Sequence, residues 1–76
     1  MNITPDQCKT ARALLGWSAM MLAFKSRVSE TTIRTFEKGK TRPTPLKVLA
    51  IRRTLEVAGV EFDNRGHGVR IREGKP

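Results

Sequence analysis

The feature that most constrains this chain is its punctuation. Hydroxyl residues suited to starting helices stand at Thr4, Ser18, Ser29 and Thr44, and glycines suited to stopping them stand at Gly16, Gly39 and Gly59. Thr4-Pro5-Asp6-Gln7 joins an N-cap hydroxyl, a proline at the first helical position, an acid in the first turn and a glutamine at the capping-box position. Cys8, Ala11, Leu14 and Leu15 then recur at helical spacing as far as Gly16. This pattern predicts a first helix over residues 5–15.

Ser18 is placed to cap a second helix running through Lys25 with Leu22 and Ala23 inward, although Met21 stands where Glu or Gln would complete a capping box. Ser26, Arg27 and Val28 separate it from Ser29, the cap of a third helix that runs to Lys38 and is stopped by Gly39. Ile33 and Phe36 lie three apart and share a face, while Glu30, Thr31, Arg34, Thr35 and Lys38 fall elsewhere around that helix. Lys40-Thr41-Arg42-Pro43 is a basic loop. Thr44-Pro45 opens a fourth helix with Leu46, Val48, Leu49, Ile51, Leu55 and Ala58 as apolar positions, ending at Gly59. Beyond it, Val60-Glu61-Phe62 and Val69-Arg70-Ile71-Arg72 alternate about a loop, which predicts a hairpin with Val60, Phe62, Val69 and Ile71 on one face. A lone hairpin is marginal in water, so this face is expected to pack on helix four or on a second subunit. Glu73 to Pro76 reads as a frayed tail.

A chain of 76 residues supports one domain with a modest core, which argues against a large catalytic cleft. Lys and Arg number 15 against 7 acids, for a formal charge of +8, and this favours a polyanionic partner, nucleic acid ahead of an anionic membrane surface. The start of the chain lacks the basic and apolar run of a secretion signal and no stretch approaches the length of a bilayer span, so a soluble, cytoplasmic protein is expected, with no membrane partner. Cys8 is the single cysteine and reads as a small apolar residue on a helix face; no Cys/His cluster offers a metal site, and no cofactor is expected. His67, between two glycines, has neither a base partner nor an orienting carboxylate near in sequence. With no paired carboxylates, no nucleophile beside a base and no phosphate-cradling glycine loop, the chain is not expected to be an enzyme. An RNA-binding role is less favoured, because Tyr is absent and the three Phe residues are better used as core.

Two short helices joined by a turn of three to four residues, the second projecting polar side chains, form the arrangement by which one helix enters a major groove while its neighbour braces the DNA backbone. Residues 18–38 fit it. The run Leu15-Gly16-Trp17-Ser18, then Leu22-Ala23, Val28-Ser29, Thr32-Ile33, Phe36-Glu37, Gly39 and Pro43, resembles the lambda-repressor/Cro (Xre) helix-turn-helix family over nearly the whole chain. Residues 55–62 and 68–71 are similar to small bacterial members with a C-terminal strand pair. The resemblance implies a mainly α fold: a four-helix lambda-repressor-like helix-turn-helix domain over 1–59 with its motif at 18–38, and a short C-terminal β-hairpin over 60–72 in the same domain. It also implies that Glu30, Thr31, Arg34 and Thr35 contact bases of double-stranded DNA. Arg34 can donate two parallel hydrogen bonds to guanine O6 and N7, Glu30 can accept from cytosine N4, and threonines can bond a base edge or touch a thymine methyl. An acid at Glu30 also suits the helix dipole without any base.

Phosphate contacts are expected from Ser18, Lys25, Arg27, Ser29, Lys38, Lys40, Thr41 and Arg42, since residues 18–45 carry six bases against two acids. Lys9, Lys47 and Lys75 read as solubilising surface. The implied function is a sequence-specific transcriptional regulator, a repressor that binds an inverted-repeat operator as a homodimer, with dimer contacts at Leu55, Val60, Phe62, Val69 and Ile71. Two residues depart from the family pattern. Gly is common in the turn where Arg27 stands, and a non-glycine residue at positive φ costs about 1 kcal/mol or more, enough to reshape the turn. A glutamine that grips phosphate and buttresses the reading helix is usual where this chain has Ala19. Met20, Met21 and Phe24 crowd the outer side of the second helix, where Met21 or Phe24 either fills the core beside Trp17 or joins an exposed surface for a protein partner. The alternative function is therefore a protein-binding module of antiactivator or antitoxin type. Trp17 resembles a family core position between the first two helices, where its indole can pack with Phe36.

Overall fold

The computed structural model describes residues 3–63 and 68–72. The readings of the extreme N-terminus, the loop with His67, and the tail with Lys75 lie outside the described residues. Four helices and one hairpin follow in chain order: α1 Pro5–Leu15, α2 Ala19–Ser26, α3 Glu30–Glu37, α4 Pro45–Val57, β1 Val60–Phe62 and β2 Val69–Ile71. The helical boundaries fall within two residues of those the caps predict, a difference confined to the last residues before Gly39 and Gly59.

Each helix starts as its sequence dictates. The Thr4 hydroxyl accepts from Gln7 N at 3.0 Å and Gln7 Oε1 accepts from Thr4 N at 2.9 Å, a complete capping box. Ile3 and Cys8 flank it at the positions of a hydrophobic staple, and both are buried. Ser18, Ser29 and Thr44 cap the other three helices, accepting from Met21 N, Thr32 N and Lys47 N. Gly16 closes α1 at φ 72°.

The core lies where all four helices converge on the hairpin. Cys8 and Ala11 from α1, Ala19 and Leu22 from α2, Val28 from the turn, Ile33 and Phe36 from α3, Val48, Ile51 and Leu55 from α4, and Val60 from β1 are buried together. The hairpin is antiparallel with Val60 opposite Ile71, Glu61 opposite Arg70 and Phe62 opposite Val69, so its four apolar residues share one face as the alternation predicts. That face solves its stability problem inside the chain, since β2 packs on α1 and β1 packs on α4. Gln7, buried at the start of α1, adds a tie: its Nε2 donates to the carbonyls of Asp63 and Gly68 at 3.4 Å each, the two ends of the hairpin loop.

The dimer contacts expected at Leu55 and Val60 are corrected by this packing. Both residues are buried in the chain's own core and present no surface to a second subunit. Of the same set, Ile71 is exposed and Phe62 and Val69 are half-buried.

One polar cluster crosses the core. Glu37, the last residue of α3, accepts from Arg12 of α1 through Nη2 at 2.7 Å and Nε at 2.8 Å, a bidentate pair whose side chains are 7% and 17% exposed. Arg12 Nη1 also donates to Trp17 O at 2.9 Å, and the Cys8 thiol donates to Glu37 Oε2 at 3.1 Å. Burial pushes the Glu37 pKa up, but hydrogen bonds from Arg12 and Cys8, with the charges of Arg12 and Lys9, more than offset it and hold it below its ordinary value. Burial, then the bond to Glu37 and its charge, raise the Cys8 thiol far above its usual range against the field of Arg12, so the thiol stays protonated.

Removing one partner of a buried pair leaves the other uncompensated, so Glu37→Gln is expected to lower unfolding free energy at neutral pH by about 3 kcal/mol, measured by urea denaturation. A carboxylate with a depressed folded pKa stabilises above its unfolded value and loses that contribution as pH falls through the folded value. The wild-type and Glu37→Gln stabilities should therefore converge as pH falls from neutrality through and below the ordinary carboxylate range; a constant gap would assign the loss to something other than the ionised pair.

Candidate nucleic-acid interface

The turn between α2 and α3 keeps its tight form with Arg27 in the glycine position. Arg27 sits at φ 63°, ψ 27°, the one non-glycine residue at positive φ among those described, and its N–H closes on Ala23 O at 2.9 Å. The expected reshaping does not occur, because Ser26 and Val28 on either side are buried and fix the path of the chain, while the Arg27 side chain points into solvent. The strain of a left-handed arginine is absorbed by that packing. Ala19, where family members usually have glutamine, is buried in the core, so it has no route to a phosphate.

α3 buries Ile33 and Phe36 and turns its other flank outward. Thr31, Arg34 and Lys38 are exposed on it, with Glu30 and Thr35 half-buried. Two local bonds decide which atoms of that flank are available. Arg34 Nε donates to Glu30 Oε2 at 2.7 Å within an i,i+4 ion pair. Thr35 Oγ1 donates back to the carbonyls of Thr31 and Thr32 at 3.0 and 3.2 Å, and, its proton thus spent, accepts from Thr41 Oγ1 at 2.9 Å. What Thr35 can offer outward is its methyl group.

The same bond folds the basic loop over α3. Gly39 at φ 75° reverses the chain, Lys40 N donates to Thr35 O, and Lys40, Thr41 and Arg42 follow, all exposed. This loop also lines a shallow groove with Ile3, Thr4, Pro5 and Phe36, at the start of α1. Among the described residues, Arg27, Lys38, Lys40 and Arg42 enter no ion pair, whereas Arg12, Arg34, Arg52 and Arg70 do. Those four cations beside α3 therefore carry charge that no described residue pairs.

The expected phosphate-contacting residues divide. Ser18 and Ser29 spend their hydroxyl oxygens on their helix caps, and Ser29 Oγ also donates to Thr32 Oγ1 at 2.8 Å. Thr41 donates to Thr35, as described. Lys25 lies away from the loop, its Nζ 5.4 Å from the centre of the Trp17 ring, where Trp17, Lys25, Arg53 and Val57 line one groove. Trp17 is thus partly buried against the core on the α4 side.

The ambiguity over α2 is resolved toward exposure: Met20 is 64% and Phe24 82% exposed, with Met21 also outside the core. The Arg12–Glu37 pair and the second role of Gln7 were not anticipated. One sequence signal pointed to the first: Glu37 ends α3, where the helix dipole disfavours an acid, so a cation elsewhere had to hold it.

A model of the helix-turn-helix family matches residues 9–62 of the chain. None of the curated proteins compared matches it. No helix among the described residues is long and apolar enough to cross a membrane.

Substitutions at two residues test this geometry. Arg27→Gly is expected to stabilise the fold by roughly 0.5 kcal/mol, the relief of left-handed strain less the entropy of glycine, as a raised denaturation midpoint. Thr35→Val keeps the methyl and should retain any thymine preference at its position, whereas Thr35→Ser should lose about 1 kcal/mol of it, measured with thymine-to-uracil duplexes.

Proposed function

Because the chain belongs to the lambda-repressor-like (Xre) helix-turn-helix family, a family of DNA-binding regulators, we propose that it is a sequence-specific repressor that occupies an inverted-repeat operator as a homodimer. The observation that carries this reading is the polar flank of α3, left outside the core and adjoined by a loop whose cations have no ion-pair partner among the described residues. A helix in the major groove supplies base contacts through Thr31, Arg34 and Thr35, with Glu30 beside them, while Arg27, Lys38, Lys40 and Arg42 meet phosphates. Occupancy of a promoter by such a protein blocks polymerase.

Dimerisation is supported by arithmetic. An eight-residue α3 is about 12 Å long and reaches few base pairs, while two copies set about 34 Å apart on one face of the duplex double the readout. The surface left for that contact is the exposed Ile71 with the rims of Phe62 and Val69, together with the outer side of α4, where Val57 is exposed.

A second reading, a protein-binding module, is favoured by one observation: Met20, Met21 and Phe24 stand exposed together on α2.

Affinity for duplex DNA across a salt series separates the two. Phosphate contacts must give a steep fall in affinity with salt, and Lys40→Ala should reduce the logarithmic slope by about 0.9 while weakening all sequences alike. No binding at low salt would favour the protein-contact reading.

A further inference from the structure

We propose that Glu30 is a positioning residue for Arg34, holding its guanidinium so that the tip, not the side edge, is offered to one guanine. The inference rests on the DNA-reading role proposed above and specifies how one of its contacts is built.

Glu30 Oε2 accepts from Nε at 2.7 Å and lies 2.6 Å from Nη2 in the same ion pair. Those two nitrogens form one edge of the planar guanidinium, and that edge faces the carboxylate. The donors left are at the far end of the fork, the N–H groups of Nη1 and the outward N–H of Nη2, which can meet the O6 and N7 acceptors of guanine side by side. No other hydrogen bond of the Arg34 side chain occurs among the described residues. The carboxylate is what holds it. Both groups stand in solvent, Arg34 58% and Glu30 34% exposed, so the pair does not serve the core.

Charge sharpens the point. An acid on a surface that approaches phosphates weakens binding to every sequence, so beyond its benefit to the helix dipole a carboxylate there has its use in discrimination. An arginine already held in one orientation gives up less rotamer freedom when it docks. Glu30 also precedes Arg34 by four residues, the order in which an acid and a base support a helix, so the arrangement persists in free protein. Direct reading of cytosine by Glu30 requires that same carboxylate to turn from Arg34 to a base, and the two roles act at different base positions.

The test selects bound sites from a random duplex pool with wild type, Glu30→Gln, Arg34→Ala and the double variant, then measures affinities for the selected site and its single-base variants. Wild type is expected to require guanine at one position of each half-site, and Arg34→Ala to abolish that preference. Glu30→Gln should lose about tenfold of the discrimination at that same position, yet bind random duplex at least as tightly as wild type. The double variant should match Arg34→Ala. Altered choice at a different, cytosine-bearing position with the guanine preference intact overturns the proposal in favour of direct reading. Equal weakening of selected and random duplex overturns it in favour of a role in folding, and thermal melting would then fall too. A pool left unenriched by the wild type overturns the DNA-reading role itself, and that failure is distinct because the unmodified chain shows it.

Discussion

The bidentate pair between Arg12 and Glu37 is the interaction on which the arrangement of this molecule depends. It joins the helix that opens the chain to the end of the helix that faces outward, and it does so across the core rather than over the surface. Ile33 and Phe36 fix the inward face of α3 by apolar contact. A fork of two short hydrogen bonds ties the end of α3 to α1 with that face inward. Which residues of α3 meet solvent follows from that.

A second consequence concerns charge. Among the described residues the ion pairs fall on α1 with α3, along α3, along α4 and across the hairpin. The loop after Gly39 carries none. Its backbone is held by bonds to Thr35, so its cations are displayed from a fixed base and their side chains stay free to adjust. Fixed main chain with mobile charged ends suits contact with a polyanion whose local width varies with sequence.

Much of this was legible beforehand. Caps and glycines act over three or four residues, so Thr4 with Gln7, Ser18, Ser29 and Thr44 could be read without knowing what they pack against. The alternation after Gly59 likewise gave the shared face of the hairpin. What the sequence hid was contact at long separation. Arg12 meets Glu37 across 25 positions and Gln7 meets Asp63 and Gly68 across 56 and 61, with no local pattern to name the distant partner. Orientation on short helices was hidden for a related reason: two turns of α2 do not define an apolar stripe, so the exposure of Phe24 and Met20 emerged only from packing. Leu55 and Val60 were misassigned to a dimer contact because burial against one's own chain and against a copy have the same sequence signature.

The Gln7 amide has a further effect. Its oxygen completes the first cap while its nitrogen clasps both ends of the hairpin loop, so one planar group joins the opening turn of the molecule to its closing element. A glutamate could make the cap but would bring no N–H to the two carbonyls. Segments far apart along the chain are thereby tied through a single side chain.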